Sequence, residues 1–176
     1  CGHEAVAVLD GGLAAWQAAG GALDSGPAAP HAPGDFPLKP ALTGTTTAAQ
    51  IASRLGDPSL TLIDARAAAR FRGEVEPLDP VAGHIPGALN RPFADNLGPD
   101  GRFKPAAQLK AEFDQLLAGR DPSTVVHHCG SGVSAIPNLL AMEVAGLGRS
   151  QLFPGSWSEW CNTPGLPCAR SQVSGG

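Results

Sequence analysis

Short apolar runs of strand length alternate along this chain with stretches of helical periodicity, and that alternation narrows the fold more than any other feature. Leu60 to Ile63 is an apolar run ending at Asp64, and Thr124-Val125-Val126 is a second. Between them, residues 106–117 place Leu109, Phe113, Leu116 and Leu117 on one side of a helix. Past the second run, Ala135 to Ala145 reads as a helix closed by Gly146. Pro137 falls in its first turn, where a missing N–H is tolerated. Ahead of the first run, Thr47-Ala48-Ala49-Gln50 has the spacing of a capping box, with Ile51 and Leu55 as the apolar face behind it. Strands separated by helices predict an α/β layer fold with a central parallel sheet flanked by helices. Residues 72–104 read as loop, centred on Gly83-His84-Ile85-Pro86-Gly87.

With 176 residues, 43% hydrophobic and 16% charged, the chain has room for one full core and part of another. A net charge of −4 with no Lys/Arg run argues against nucleic acid as a partner. No apolar stretch reaches membrane-spanning length, so no membrane partner is expected. The four cysteines, Cys1, Cys129, Cys161 and Cys168, form no CxxC pair or disulfide ladder, which points to a reducing compartment and a cytoplasmic location. Redox sensing through Cys161 and Cys168 rests on spacing only.

The chain ends carry a second message. Val6 to Leu9 reads as a strand, Asp10-Gly11-Gly12 as a turn and Leu13 to Ala19 as a helix. Residues 9–16, with Trp16 closing them, echo residues 153–160, with Trp157 and Trp160. The expected organisation is a remnant of a first repeat over 1–25, a Gly/Ala/Pro-rich linker over 26–45, a catalytic domain over 46–170 and a tail over 171–176. The only methionine is Met142, so the chain reads as a piece or a trimmed product of something longer.

The chemistry concentrates at Val126-His127-His128-Cys129-Gly130-Ser131-Gly132-Val133-Ser134-Ala135. A strand delivers a cysteine into a glycine-rich loop that opens a helix, at the carboxyl end of a strand where such folds place ligands. Glycines let successive N–H groups point inward, and the helix start adds unpaired donors and partial positive charge. The predicted result is an anion cradle around the Cys129 sulfur that lowers its pKa, with Ser131 and Ser134 as hydroxyl donors. A phosphatase of the Cys-x5-Arg type needs a guanidinium six residues on, where this chain has Ala135. His127 and His128 adjoin Cys129, but neighbours on an extended segment face opposite ways, so both read as packed or surface residues. No further ligands converge for zinc, and no metal is expected.

These residues resemble a known family. Cys129-Gly130-Ser131-Gly132-Val133-Ser134-Ala135 is similar to the active loop of the 3-mercaptopyruvate sulfurtransferases of the rhodanese superfamily. Leu62-Ile63-Asp64-Ala65-Arg66, Arg70-Phe71, Gly83 to Asn90 and Gly155-Ser156-Trp157-Ser158-Glu159-Trp160 fit the same family in the same order. The resemblance implies a rhodanese-like three-layer fold, a tandem of two such domains and no cofactor. It also implies a reaction in which Cys129 takes sulfur from a small-molecule donor as a persulfide and passes it to a thiol or cyanide, with a thioredoxin-like reductant as a further partner. On that likeness Cys129 is the nucleophile and Ser131 assists proton movement. Arg70 binds the donor carboxylate, and Gly130, Ser131, Gly132, Val133 and Ser134 hold the sulfur. Asp64, Arg66, His84 and Trp157 support the loop. The family often carries a second arginine where this chain has Leu78. The neutral, hydroxyl-lined loop favours mercaptopyruvate; thiosulfate, a persulfide relay and a binding module are the alternatives.

Overall fold

The computed structural model describes residues 2–28, 30 and 32–171. Cys1 and all of the expected tail but Ser171 lie outside the described residues. The elements run α1 (Gly12–Ala18), α2 (Ala48–Ala52), β1 (Thr61–Asp64), α3 (Ala68–Arg72), β2 (Leu89–Asn90), α4 (Ala106–Leu117), β3 (Val125–His128), α5 (Ile136–Val144), β4 (Gln151–Leu152) and α6 (Ser156–Asn162). Short 3₁₀ turns cover Phe93–Asn96 and Pro122–Thr124.

The four strands form one all-parallel sheet in the order β2-β1-β3-β4. Each parallel step is bridged by a helix, and the side chains of β1 and β3 are buried throughout, as a sheet covered on both faces requires. Strand alternation divides the core in two. Leu62 and Val126 face Ile51, Ile85, Phe153, Trp157 and Trp160, on the α2 and α6 side. Ile63 and Val125 face Leu109, Phe113, Leu117, Ala141 and Met142, on the α4 and α5 side. The α4 range matches its apolar periodicity, and Thr47 and Gln50 close the capping box at α2 reciprocally.

Residues 6–9 are not a strand. Among the described residues no strand lies beside them, and an extended segment without a neighbour has nothing to complete its ladder. Val6, Val8 and Leu9 are exposed, and no residue of α1 is buried. The Asp10 carboxylate does reach across the chain, accepting the Phe103 N–H at 2.9 Å.

Buried polar side chains tie the layers together. Arg91 lies over the Phe113 ring at 4.3 Å and donates to Asn96 and Glu112 at 2.8 Å each. Asn96 and Asn138, both fully buried, bond to one another, so the first turn of α5 is joined to the 93–96 turn. Burial pushes the Glu112 carboxyl up, but Arg91, Lys104 and Gln108 outweigh it and bring it down to about 2.

Candidate active site

β3 ends at His128, so the next residue, Cys129, leaves the sheet at its carboxyl end. The side chain is buried at 1% exposure. Its Sγ accepts the Gly132 N–H at 3.1 Å. Burial pushes the thiol up, but the Ser134 hydroxyl and the N–H groups of Ser131, Ala135 and Gly132 more than reverse this, leaving it below its ordinary value. No cation is needed for that shift. Gly132 has φ +82, and a Cβ there would run into the Pro154 carbonyl, so only glycine lets the loop close. Ser131 and Val133 are exposed to solvent.

Arg70, at the end of α3, stands beside this loop. An ideal Cβ on Gly130 would lie 3.5 Å from Arg70 Nη1. The other edge of the guanidinium is occupied: Nη2 donates to Glu76 at 2.5 Å and to Asp79 at 3.4 Å, and Nε to Glu76 at 3.3 Å. Leu78 projects into solvent between those two carboxylates, 78% exposed.

Arg66 lies deeper and is buried. It donates to both Asp64 oxygens, to Glu76 at 3.2 Å and to the Gly83 carbonyl at 2.6 Å, and stacks 4.7 Å over Trp157. Trp157 in turn donates its indole N–H to Val81 O at 2.9 Å. His84 stacks on Phe71 and its Nδ1 lies 2.7 Å from the Phe71 carbonyl, which requires the proton on Nδ1. Asp64, Arg66 and Trp157 therefore form one buried cluster that holds Glu76, Val81 and Gly83 of the segment carrying the partners of Arg70, and His84 ties the end of that segment to Phe71 on α3.

His127 and His128 are both fully buried, on opposite faces of β3. His127 Nε2 meets the Met142 sulfur at 3.1 Å, and neither ring nitrogen of His128 has a partner. Burial lowers both, His127 to about 3, so both are neutral and neither is placed as a base for Cys129. Cys161 is half-buried and Cys168 exposed, and burial raises both thiols, the reverse of Cys129. Among the described residues no group of His, Cys, Asp and Glu side chains is arranged to hold a metal ion, and no helix is long and apolar enough to cross a membrane.

Sequence reasoning missed two parts of the site. Glu76 and Asp79 lie close to Leu78 in the sequence, but nothing in their spacing shows that they grip Arg70. Ser156 sits within the Gly155 to Trp160 motif, yet only the folded chain brings its Oγ to 3.0 Å from the Cys129 N–H.

The parallel α/β sheet thus delivers one cysteine into a turn whose amide donors favour its thiolate. The chain belongs to the Rhodanese-like domain family, whose model matches residues 47–163. It is 53% identical to the "Probable 3-mercaptopyruvate sulfurtransferase" of Pseudomonas aeruginosa, over 95% of this chain and 58% of that protein. It is 37% identical to the human 3-mercaptopyruvate sulfurtransferase, over 90% and 54%, and 35% identical to the mitochondrial thiosulfate/3-mercaptopyruvate sulfurtransferase 1 of Arabidopsis thaliana, over 98% and 51%. The chain thus spans about half the length of the curated relatives it matches. Among solved structures, Tum1 of Saccharomyces cerevisiae aligns with a TM-score of 0.61 at 28% identity, covering 73% of this chain and 47% of that one. The anaerobic ergothioneine biosynthesis enzyme of Chlorobium limicola aligns with a TM-score of 0.79 at 20% identity, over 93% and 41%, a likeness of fold alone.

Proposed function

We propose that this chain carries the persulfide-forming site of a sulfurtransferase that takes sulfur from 3-mercaptopyruvate and hands it to a thiol or to cyanide. The observation that carries this reading is the Cys129 Sγ, which accepts the Gly132 N–H inside a loop of converging donors. The Cys129 thiolate attacks the donor sulfur. An S–S bond forms, the C–S bond breaks, and its electron pair stays on the methylene carbon of the pyruvate fragment. A proton from the donor thiol, relayed by Ser131, completes pyruvate. The N–H groups of Gly130, Ser131, Gly132, Val133 and Ser134 hold the persulfide, and Arg70 takes the donor carboxylate. The acceptor then attacks the outer sulfur and the Cys129 thiolate leaves.

Thiosulfate is the second donor considered, since a relative's name includes it. Two observations favour the monoanion: residues 130–135 include no cation, and Arg70 is already paired with Glu76 and Asp79. Residues 46–170 form the catalytic unit in this proposal. Residues 1–25 close a preceding rhodanese-like repeat and 26–45 link the two, which accounts for the exposed apolar side of residues 6–16. A cytoplasmic setting with a thioredoxin-like reductant belongs to the same reading.

Intact mass after incubation with each donor tests it. A gain of one sulfur with mercaptopyruvate, absent in Cys129→Ser, is the expected result. A gain with thiosulfate alone overturns the donor, and no gain with either overturns transfer from small donors in favour of a relay or a binding module.

A further inference from the structure

The backbone of the nucleophile is held by the turn that opens α6. Cys129 N–H donates to Ser156 Oγ at 3.0 Å, Trp157 N–H to Cys129 O at 3.0 Å and Ser158 N–H to Gly130 O at 2.9 Å. Gly132 leans on the Pro154 carbonyl of the same turn. The turn is therefore a mould for the loop, and Ser156 is the residue that contributes a side chain to these bonds.

Ser156 is unusual in three respects. It is fully buried. Its φ of +54 is a left-handed value shared among the described non-glycine residues only with Ala118. Glycine would adopt that backbone without steric cost, whereas a side chain there stores strain. Finally, its hydroxyl stands 3.0 Å from the Phe153 carbonyl and 4.0 Å from Cys129 Sγ. A hydroxyl has one proton and two lone pairs. One lone pair takes the Cys129 N–H, and the proton can turn about the Cβ–Oγ bond toward either the carbonyl or the sulfur. A charged acceptor draws a donor more strongly than a neutral one.

We infer that Ser156 is a positioning residue for Cys129: its hydroxyl anchors the nucleophile's amide and turns its proton to Sγ when the sulfur becomes charged. The inference rests on the sulfur-carrying reading of Cys129 above. Other charged or titratable groups around the loop are Arg70 on α3 with Glu76 and Asp79, the Asp64–Arg66 pair at the end of β1, His84, and His128 on β3. All are left in place by changes at Ser156, so a shift at Cys129 reports the hydroxyl.

The test uses the full chain with Ser156→Ala and Ser156→Gly. The rate of iodoacetamide addition to Cys129, read on the Cys129 peptide, is followed against pH beside thermal unfolding and sulfur gain from mercaptopyruvate. Both variants should move the alkylation midpoint upward and slow sulfur gain about tenfold. Ser156→Gly, freed of the left-handed strain, should unfold at a higher temperature than Ser156→Ala yet share its defect at Cys129. A merely structural serine would make the Cys129 defect follow stability, so a wild-type midpoint in Ser156→Gly overturns the inference. A wild-type chain that takes sulfur from neither donor, with the midpoint still shifted in both variants, would refute small-donor transfer and leave the role of Ser156 standing.

Discussion

Arg70 and Glu76 are joined edge to edge, with Nη2 at 2.5 Å and Nε at 3.3 Å from the carboxylate, and this pairing turns the remaining Nη1 toward Gly130. A guanidinium gripped on one edge presents the other in a fixed direction. Arg70→Ala should therefore raise KM for mercaptopyruvate by roughly ten- to a hundredfold, the range for a hydrogen bond to a charged group. The pH profile of Cys129 alkylation should stay as in the wild type. A kcat loss with unchanged KM would show that Arg70 is not a donor-binding group.

Leu78 stands exposed between Glu76 and Asp79, with its N–H 3.2 Å from the Glu76 carboxylate. Leu78→Arg would add a cation beside Arg70 and offset the two carboxylates. Steady-state kinetics with both donors should show thiosulfate gaining about tenfold in kcat/KM, because a dianion gains more than a monoanion from added positive charge. Equal gains for both donors would mean that charge at this lip does not select the donor.

Gly132→Ala tests the loop's backbone. With φ at +82 and the Pro154 carbonyl in the way, alanine should cost about 1–3 kcal/mol of stability and abolish persulfide formation. Chemical denaturation and intact mass measure the two effects. Wild-type sulfur loading in the alanine variant would show that the donor cradle does not depend on this conformation.

The Cys129 thiol is held below its ordinary value, so its alkylation midpoint should lie below 9.0. The sign for stability follows from proton counts. Between the folded midpoint and the unfolded value the unfolded chain binds the extra proton. Stability therefore rises with pH across that window and is lost as pH falls through the folded midpoint. Cys129→Ser should remove that slope from urea-unfolding free energies measured between pH 6 and 10, in about the range where thiols titrate.

His127 gives the opposite end of the pH scale. Burial, with His128 and Arg91 adding to it, lowers it from 6.5 to about 3. Below its unfolded value the unfolded chain takes the proton first, so stability falls as pH drops from 6.5 toward 3. One such proton contributes a slope of about 1.4 kcal/mol per pH unit. His127→Leu should flatten the acid limb of unfolding free energy by roughly that slope, and an unchanged limb would assign acid sensitivity elsewhere.

The sequence revealed the larger elements and the loop because their signals are local. The apolar stripe of residues 106–117 shows its helical period without reference to what it packs against, and glycines flanking a cysteine after an apolar run need no tertiary information. The two-residue strands β2 and β4 are too short for any period, and exist because β1 and β3 present free edges to them. β3 runs on through both histidines because it stays paired with β1 as far as Asp64. α3, with its alanines and arginines, buries no residue and so leaves no apolar pattern. Val6 to Leu9 shows the reverse error: a strand-like run needs a neighbour that its own composition cannot supply. In the site, Cys129 was legible alone, whereas Ser156 lies 27 residues further on and meets it through the fold.

The bridge between His84 and Ala169, with N–H to carbonyl bonds of 2.8 and 2.9 Å in both directions, lies six residues past the end of the matched family domain. Arg170 extends it with a bond to the Ala82 carbonyl at 3.1 Å. An expression boundary drawn at residue 163 would cut this stitch and leave the backbone of residues 82–84 to bond with water. Shortened versions made for crystallography or biosensing should therefore keep residues 164–170, which secure the segment that steers Arg70.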